Sequence, residues 1–207
     1  MPKQLRKDSR ETWQAIEAIA ECYQGTNLKR YQVTSEQGRQ LQIVQMTNLE
    51  SLYVSSPEQS LHLDAEKIER YQLEQDDVLV ASRAGSMMAS VVGEALVGSV
   101  AGQNVFVLRP YKENVDAVFL AALLRSSIGQ RLQAKFQKSS TLTSSLLLRD
   151  LREIEVPIPS LETQYKLRAL FIAVDEVVQH ARDVISTRQA LADDILIATL
   201  ELDNDKH

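Results

Sequence analysis

The chain of 207 residues and 23.3 kDa is 44% hydrophobic and 25% charged with a net charge of −5, an ordinary globular balance that excludes a disordered or collagen-like protein and supplies one sizeable core. No apolar run approaches the roughly 20 residues of a membrane span, and MPKQLRKDSRETW carries no apolar h-region, so neither a membrane protein nor a secreted one is expected. A lone cysteine, Cys22, forbids an internal disulfide and fits a reducing cytoplasm, and with three scattered histidines it cannot build a standard zinc site.

Residues 1–12 are polar and read as an arm or short helix. From Ser9, a candidate N-cap, Trp13, Ile16, Ile19, Ala20 and Tyr23 recur at helical spacing, and Gly25 ends that predicted helix. Residues 30–56 read as strand-rich: Tyr31 and Val33 alternate, and Leu41, Ile43 and Val44 lead to Met46. The strongest β signal lies between 71 and 109. Asp76-Asp77 precede the apolar run Val78 to Ala81, and a polar connection, Ser82 to Ser86, follows. Val91-Val92, Val97 and Val100-Ala101 are broken by Gly93, Gly98 and Gly102, and Val105 to Leu108 is closed by Pro110. These predict short antiparallel strands joined mostly by glycine turns.

Residues 115–137 switch to a helical period, with Val118, Phe119, Ala122, Leu123, Ile128 and Leu132 on one face. A hydroxyl-rich loop, 138–145, follows. The segment 146–158 runs into Val156-Pro157-Ile158-Pro159, where the prolines force an extended chain. Ser160 then caps a long helix with Glu162 in its first turn, and no glycine or proline interrupts it as far as Leu202.

That helix carries a heptad. With Leu167 at d, the d positions include Leu167, Val174, Ala181 and Ile195, and the a positions include Phe171, Val178 and Ile185. The g positions Leu170, Val177, Val184, Leu191 and Ala198 are apolar as well, which widens the stripe beyond a two-stranded seam. About 42 residues at roughly 1.5 Å each make a rod of about 60 Å. A domain of some 150 residues cannot cover it without a break, so a helical partner is expected.

The acidic average hides a local pattern. Residues 41–80 hold eight acids and two bases, a net of −6, whereas 125–149 hold Arg125, Arg131, Lys135, Lys138 and Arg149 and no acid, a net of +5. The basic stretch is either a nucleic-acid face or a solvated surface. Arg83 and Ser86 lie in a Ser/Gly loop after a strand, where the Arg83 fork could meet guanine or phosphate, or serve as a structural ion-pair partner. Lys135, Lys138, Ser139, Ser140 and Thr141 are suited to phosphate contacts. Signs of catalysis are few. There is no phosphate-cradling glycine loop and no Gly-x-Ser-x-Gly elbow. His62, Asp64 and Glu66 would share one face of a strand and could hold a metal there, although a surface acidic element is the plainer reading.

Taken in order, DDVLVASRAGS, QNVFVLRP, FLAALLRSSIGQRL and LLLRDLREIEVPIPSLETQ ahead of a long helix resemble the specificity subunits of type I restriction–modification systems. The likeness runs from about Trp13 to Leu200. Family members are usually about twice this length, so the chain resembles half of one. It departs from the family's frequent Gly-Asp before the Val-Leu strand, having Asp76-Asp77. The resemblance implies an α+β fold: a mixed α/β target recognition domain over 1–159 with a curved antiparallel sheet, then a coiled-coil helix over 160–207. It also implies a protein that reads double-stranded DNA without catalysis or cofactor and docks a methyltransferase subunit and, in some systems, a translocating nuclease subunit. Pairing of two copies through Leu167, Phe171, Val174, Val178, Ala181, Ile185 and Ile195 would give a homodimer reading a bipartite target, with half-sites within roughly 60 Å, or about 18 base pairs. The alternative is a protein–protein scaffold with no DNA-binding role.

Overall fold

The computed structural model describes residues 12–82, 87–137 and 146–204. The chain divides into two compact units, residues 1–171 and 172–207. The first is mixed α/β with mainly antiparallel sheets, and a long helix occupies the C-terminal part of the chain.

The centre of the first unit is a four-stranded antiparallel sheet. Its strands are β2 (Ala20–Gln24), β5 (Val78–Ala81), β6 (Ala89–Val91) and β8 (Val105–Pro110), in the order β2-β8-β5-β6. The two middle strands are the near-continuous apolar runs of the sequence, as burial on both faces demands. Leu79, Ala81, Val105 and Val107 share one face and join Val44, Leu49, Leu73 and Val92 in the main core. A second sheet, β4-β3-β7, is built from β3 (Arg39–Val44), β4 (Ser60–Leu63) and β7 (Val100–Ala101). Its β3–β7 pair is parallel, with Ile43 opposite Val100, which departs from the all-antiparallel expectation. Leu41, Ile43, Leu63, Ile68 and Val100 form its own cluster.

Two stretches differ from the helical expectation. The predicted helix from Ser9 to Gly25 is instead β1 (Thr12–Ala15), one helical turn α1 (Ile16–Ile19), and β2. Ser9 itself lies outside the described residues. The reason is long-range pairing. β1 pairs with β9 (Glu155–Ile158), Trp13 opposite Pro157, and β2 pairs with β8, Cys22 opposite Leu108. Those ladders outweigh a local period that only Ile16 and Ile19 obey. Gly25 closes β2 rather than a helix. A Cβ there would meet the Gly102 carbonyl oxygen at 2.2 Å, so only glycine permits the approach. The strand expected at Tyr31 and Val33 reduces to an isolated bridge between Gln32 and Leu63.

The predicted helix over 115–137 is two helices, α3 (Ala117–Arg125) and α4 (Ser127–Gln137). Asp116 caps α3 by accepting from the Phe119 amide at 2.8 Å. Ser126 is extended, and its hydroxyl accepts from the Ile128 amide, which restarts the chain as α4. Gly129 is required inside α4, because a Cβ would lie 1.9 Å from the Leu124 carbonyl oxygen. Every residue from Ala117 to Leu124 is buried, and α3 packs on β5 and β6. A further short helix, α2 (Ala65–Ile68), follows β4, and α5 (Leu148–Glu153) leads into β9. The proline-bearing segment is extended as expected, and α6 (Leu161–Asn204) begins after Ser160, whose hydroxyl accepts from the Thr163 amide.

Candidate nucleic-acid interface

Asp77 and Arg109 lie in the two motifs that carry the family resemblance, and both are structural. Asp77 ends the turn before β5 and its side chain is fully buried, while that of Arg109 on β8 is 28% exposed. Arg109 grips it bidentately, with Nε at 2.8 Å from Oδ1 and Nη2 at 2.9 Å from Oδ2. Arg109 also pairs with Glu74 at 2.7 Å and donates to the Tyr23 hydroxyl at 3.2 Å, and the Glu74 amide donates to Asp77. Burial pushes the Asp77 carboxyl above the usual carboxylate range, while Arg109 and the Glu74 amide pull it back. Burial likewise raises the Tyr23 phenol. Asp76 beside it has a φ of 72°, the left-handed region that favours glycine, which accounts for glycine being frequent at this position in the family the sequence resembles.

The predicted DNA-contacting residues fall in two groups. Arg83, Ser86, Lys138, Ser139, Ser140 and Thr141 lie outside the described residues. Lys135 is exposed in the last turn of α4, on the same helix as the exposed Arg131. The described residues next to 83–86 and 138–145 are hydrogen-bonded. The Leu146 amide, just after 138–145, donates to the Ser82 carbonyl at 2.8 Å. Ser82, just before 83–86, donates through its amide and its hydroxyl to the Asn104 carbonyl, each at 2.9 Å.

The expected basic face loses one member. Arg125 turns into the molecule, and its Nη1 donates to the carbonyls of Ser51 and Ala89 at 3.0 Å and of Leu49 at 3.2 Å. It ties α3 to the loop after β3 and to β6. Arg149 is paired with Asp150.

Asn104 lines a cleft of about 410 Å³ between the 26–32 segment, β3 with the turn after it, Gln59-Ser60-Leu61, and the 102–105 turn. Its polar lining is mostly carboxamide: Asn27, Gln32, Gln45, Gln59, Gln103 and Asn104. Among the described lining residues Lys29 is the one that is charged, and none is an acid. Gln45 is held on both sides. Its backbone carbonyl accepts from the Asn48 amide, its own amide donates to Asn48 Oδ1, and its Nε2 donates to Gln59 Oε1. Sequence reasoning missed this cleft, because its residues come from four separated segments with no shared period. The only signal was a run of uncharged polar residues, Gln45, Thr47 and Asn48, inside an otherwise acidic stretch.

The His62, Asp64, Glu66 trio does not form as a strand face. The chain turns into α2 at Ala65, where Asp64 is the N-cap and pairs with Lys67 at 2.6 Å. Among the described residues no cluster of three metal-ligating side chains occurs, and no helix is long and apolar enough to cross a membrane.

On α6, Leu167 and Phe171 are half-buried within the first unit. Within the second unit the stripe is open: Val174, Val177, Val178, Val184, Ile185, Leu191 and Ile195 are all exposed, Val177 to 69%. Ala181 is exposed too.

The fold is that of type I restriction–modification specificity subunits. It is similar to the crystal structure of the HsdS subunit from Thermoanaerobacter tengcongensis, with a TM-score of 0.64 and 18% identity over 86% of this chain and 45% of that one. A structure described as the basis of complex assembly and conformational transition of the type I R-M system matches with a TM-score of 0.64 and 16% identity, over 91% of this chain and 44% of that one. The type I restriction–modification S subunit from M. genitalium matches at 0.54 and 16% identity, over 89% of this chain and 44% of that one. The chain thus spans less than half the length of these proteins. No curated protein matches it. The family model of the type I restriction modification DNA specificity domain matches residues 44–178, and the chain belongs to that family.

Proposed function

We propose that this chain recognises a double-stranded DNA sequence without transforming it, and delivers a methyltransferase subunit to that site. The family match over residues 44–178 carries this reading. The cleft beside Asn104 supports it, since none of its described lining residues is an acid that would repel phosphate. In this proposal residues 1–159 recognise the target and 160–207 dimerise and dock. Arg83 and Ser86 approach base edges, while Lys135, Lys138, Ser139, Ser140 and Thr141 hold phosphates.

Pairing of two copies through Leu167, Phe171, Val174, Val178, Ala181, Ile185 and Ile195 would cover the apolar stripe and place two recognition domains on a bipartite site. The modification subunit and, in some systems, a translocating nuclease subunit would dock on this frame in the cytoplasm. The second reading is a protein–protein scaffold, which the net charge of −5 favours. Co-expression with a candidate methyltransferase subunit, followed by sequencing of methylated sites, tests the proposal. One recurrent target that disappears without the chain supports it. Methylation that is the same with and without the chain refutes it, and the absence of any salt-dependent binding to duplex DNA would point to the scaffold.

A further inference from the structure

The cleft contains a feature that folding does not require. Gln45 and Gln59 are both exposed, yet they are bonded to each other, and ordering two long amides at a surface costs side-chain entropy. Gln45 is anchored through its backbone, whose carbonyl accepts from the Asn48 amide and whose amide donates to Asn48 Oδ1, and its side-chain nitrogen donates to Gln59. Gln59 is only half engaged. Its Oε1 keeps a second lone pair, and its Nε2 has no partner among the described residues. The side chain is therefore held in one orientation with an acceptor and a donor side by side. That is the pattern complementary to the N6 amino group and N7 of adenine in the major groove, where glutamine and asparagine bind bidentately.

The surroundings fit the same ligand. The cleft lies within the volume range of small-ligand sites and has no carboxylate among its described lining residues; Glu58 lines the adjoining cavity that shares Gln45 and Gln59. Lys29 on its lining can hold a phosphate, and Gln103 and Asn104 add further side-chain amides.

We propose that Gln59 is a specificity-determining residue that reads adenine in the target, and that Gln45 is the positioning residue that presents it. This rests on the DNA-recognition reading above and assigns the base and the side chain.

Selection of duplexes from a random-sequence library by the full-length chain, with sequencing of the enriched pool, tests it. The wild type is expected to enrich a motif containing an invariant adenine. Gln59→Glu, a carboxylate that only accepts, should move that position towards cytosine, whose N4 amino group donates. Gln59→Leu should reduce the preference at that position by about 10- to 100-fold and leave the other positions alone. Gln45→Glu keeps the side-chain length and the backbone bonds to Asn48 and loses the donor to Gln59, so it should relax the same position only. A merely structural role would weaken every position alike. Both side chains are exposed, and the Gln59 carbonyl that accepts from the Ile43 amide is untouched, so the variants retain the fold. A motif unchanged in all three variants overturns the assignment of Gln59 and leaves DNA recognition standing. A wild-type chain that enriches no sequence overturns DNA recognition, and the assignment falls with it.

Discussion

Removing Arg109 exposes how the central sheet is held. In Arg109→Met, the buried Asp77 carboxylate loses two charge-assisted bonds, of 2.8 and 2.9 Å, and keeps only the Glu74 amide. Breaking a buried pair from one side costs roughly 3–5 kcal/mol. The low end applies here, about 3 kcal/mol, because Arg109 is 28% exposed and methionine fills much of the vacated volume. Asp77→Asn keeps an oxygen for the Glu74 amide and leaves a partly hydrated guanidinium, so about 2 kcal/mol is expected. If the two act as a pair, the double variant should cost about 3 kcal/mol rather than about 5, a coupling near 2 kcal/mol.

Urea unfolding at one protein concentration, followed by the fluorescence of Trp13 on β1, measures all four corners of the cycle. The pH dependence has a definite sign. Burial already raises the Asp77 carboxyl, and without Arg109 it rises further. A carboxyl raised in the folded state contributes stability that is present below its unfolded value of about 3.9 and lost as pH rises through its folded value. The gap between wild type and Arg109→Met should therefore be narrower at pH 5 than at pH 8. Single costs below 1 kcal/mol, or additivity within about 0.5 kcal/mol, would refute a buried pair joining β5 to β8.

The other expectations concern single positions. Gly129→Ala should destabilise by about 2 kcal/mol in the same assay, since its Cβ meets the Leu124 carbonyl; an unchanged midpoint contradicts the close approach. Asp76→Gly should stabilise by about 0.5–1 kcal/mol by relieving the left-handed backbone, against a small loss of the exposed Lys112 pair, and destabilisation would show that the pair dominates. Cys22 is buried, and burial pushes its thiol up to about 11, so iodoacetamide at pH 8 should modify the folded protein orders of magnitude more slowly than the urea-unfolded chain. Equal rates would contradict this. Lys135→Ala should lower the salt slope of duplex binding by about one unit without changing stability, whereas Arg125→Ala should cost about 2–3 kcal/mol of stability and leave the slope alone. The reverse pattern would mean that the two bases have exchanged roles.

The local chemistry of the chain determined a good deal. The apolar runs Val78 to Ala81 and Val105 to Leu108 became the two central strands, because a strand covered on both faces must be apolar throughout. The prolines at 157 and 159 held their segment extended, and Ser160 started a helix that no glycine or proline interrupts. The order of these pieces was enough to suggest the family. Tertiary structure alone decided the rest. Thr12 to Gln24 has a helical period, but its partners, Glu155–Ile158 and Val105–Pro110, are some 90 to 140 residues away, and no local window contains them. Arg125 looks like a surface base until the carbonyls of Leu49, Ser51 and Ala89 converge on it. The amide cleft is assembled from four segments between Thr26 and Val105, and the Gln45–Gln59 pair exists only once β3 and the 59–61 segment are side by side. Elements follow from the polarity and stereochemistry of neighbouring residues, whereas sites are made by residues brought together across the chain, and that information resides in the pairing of the strands.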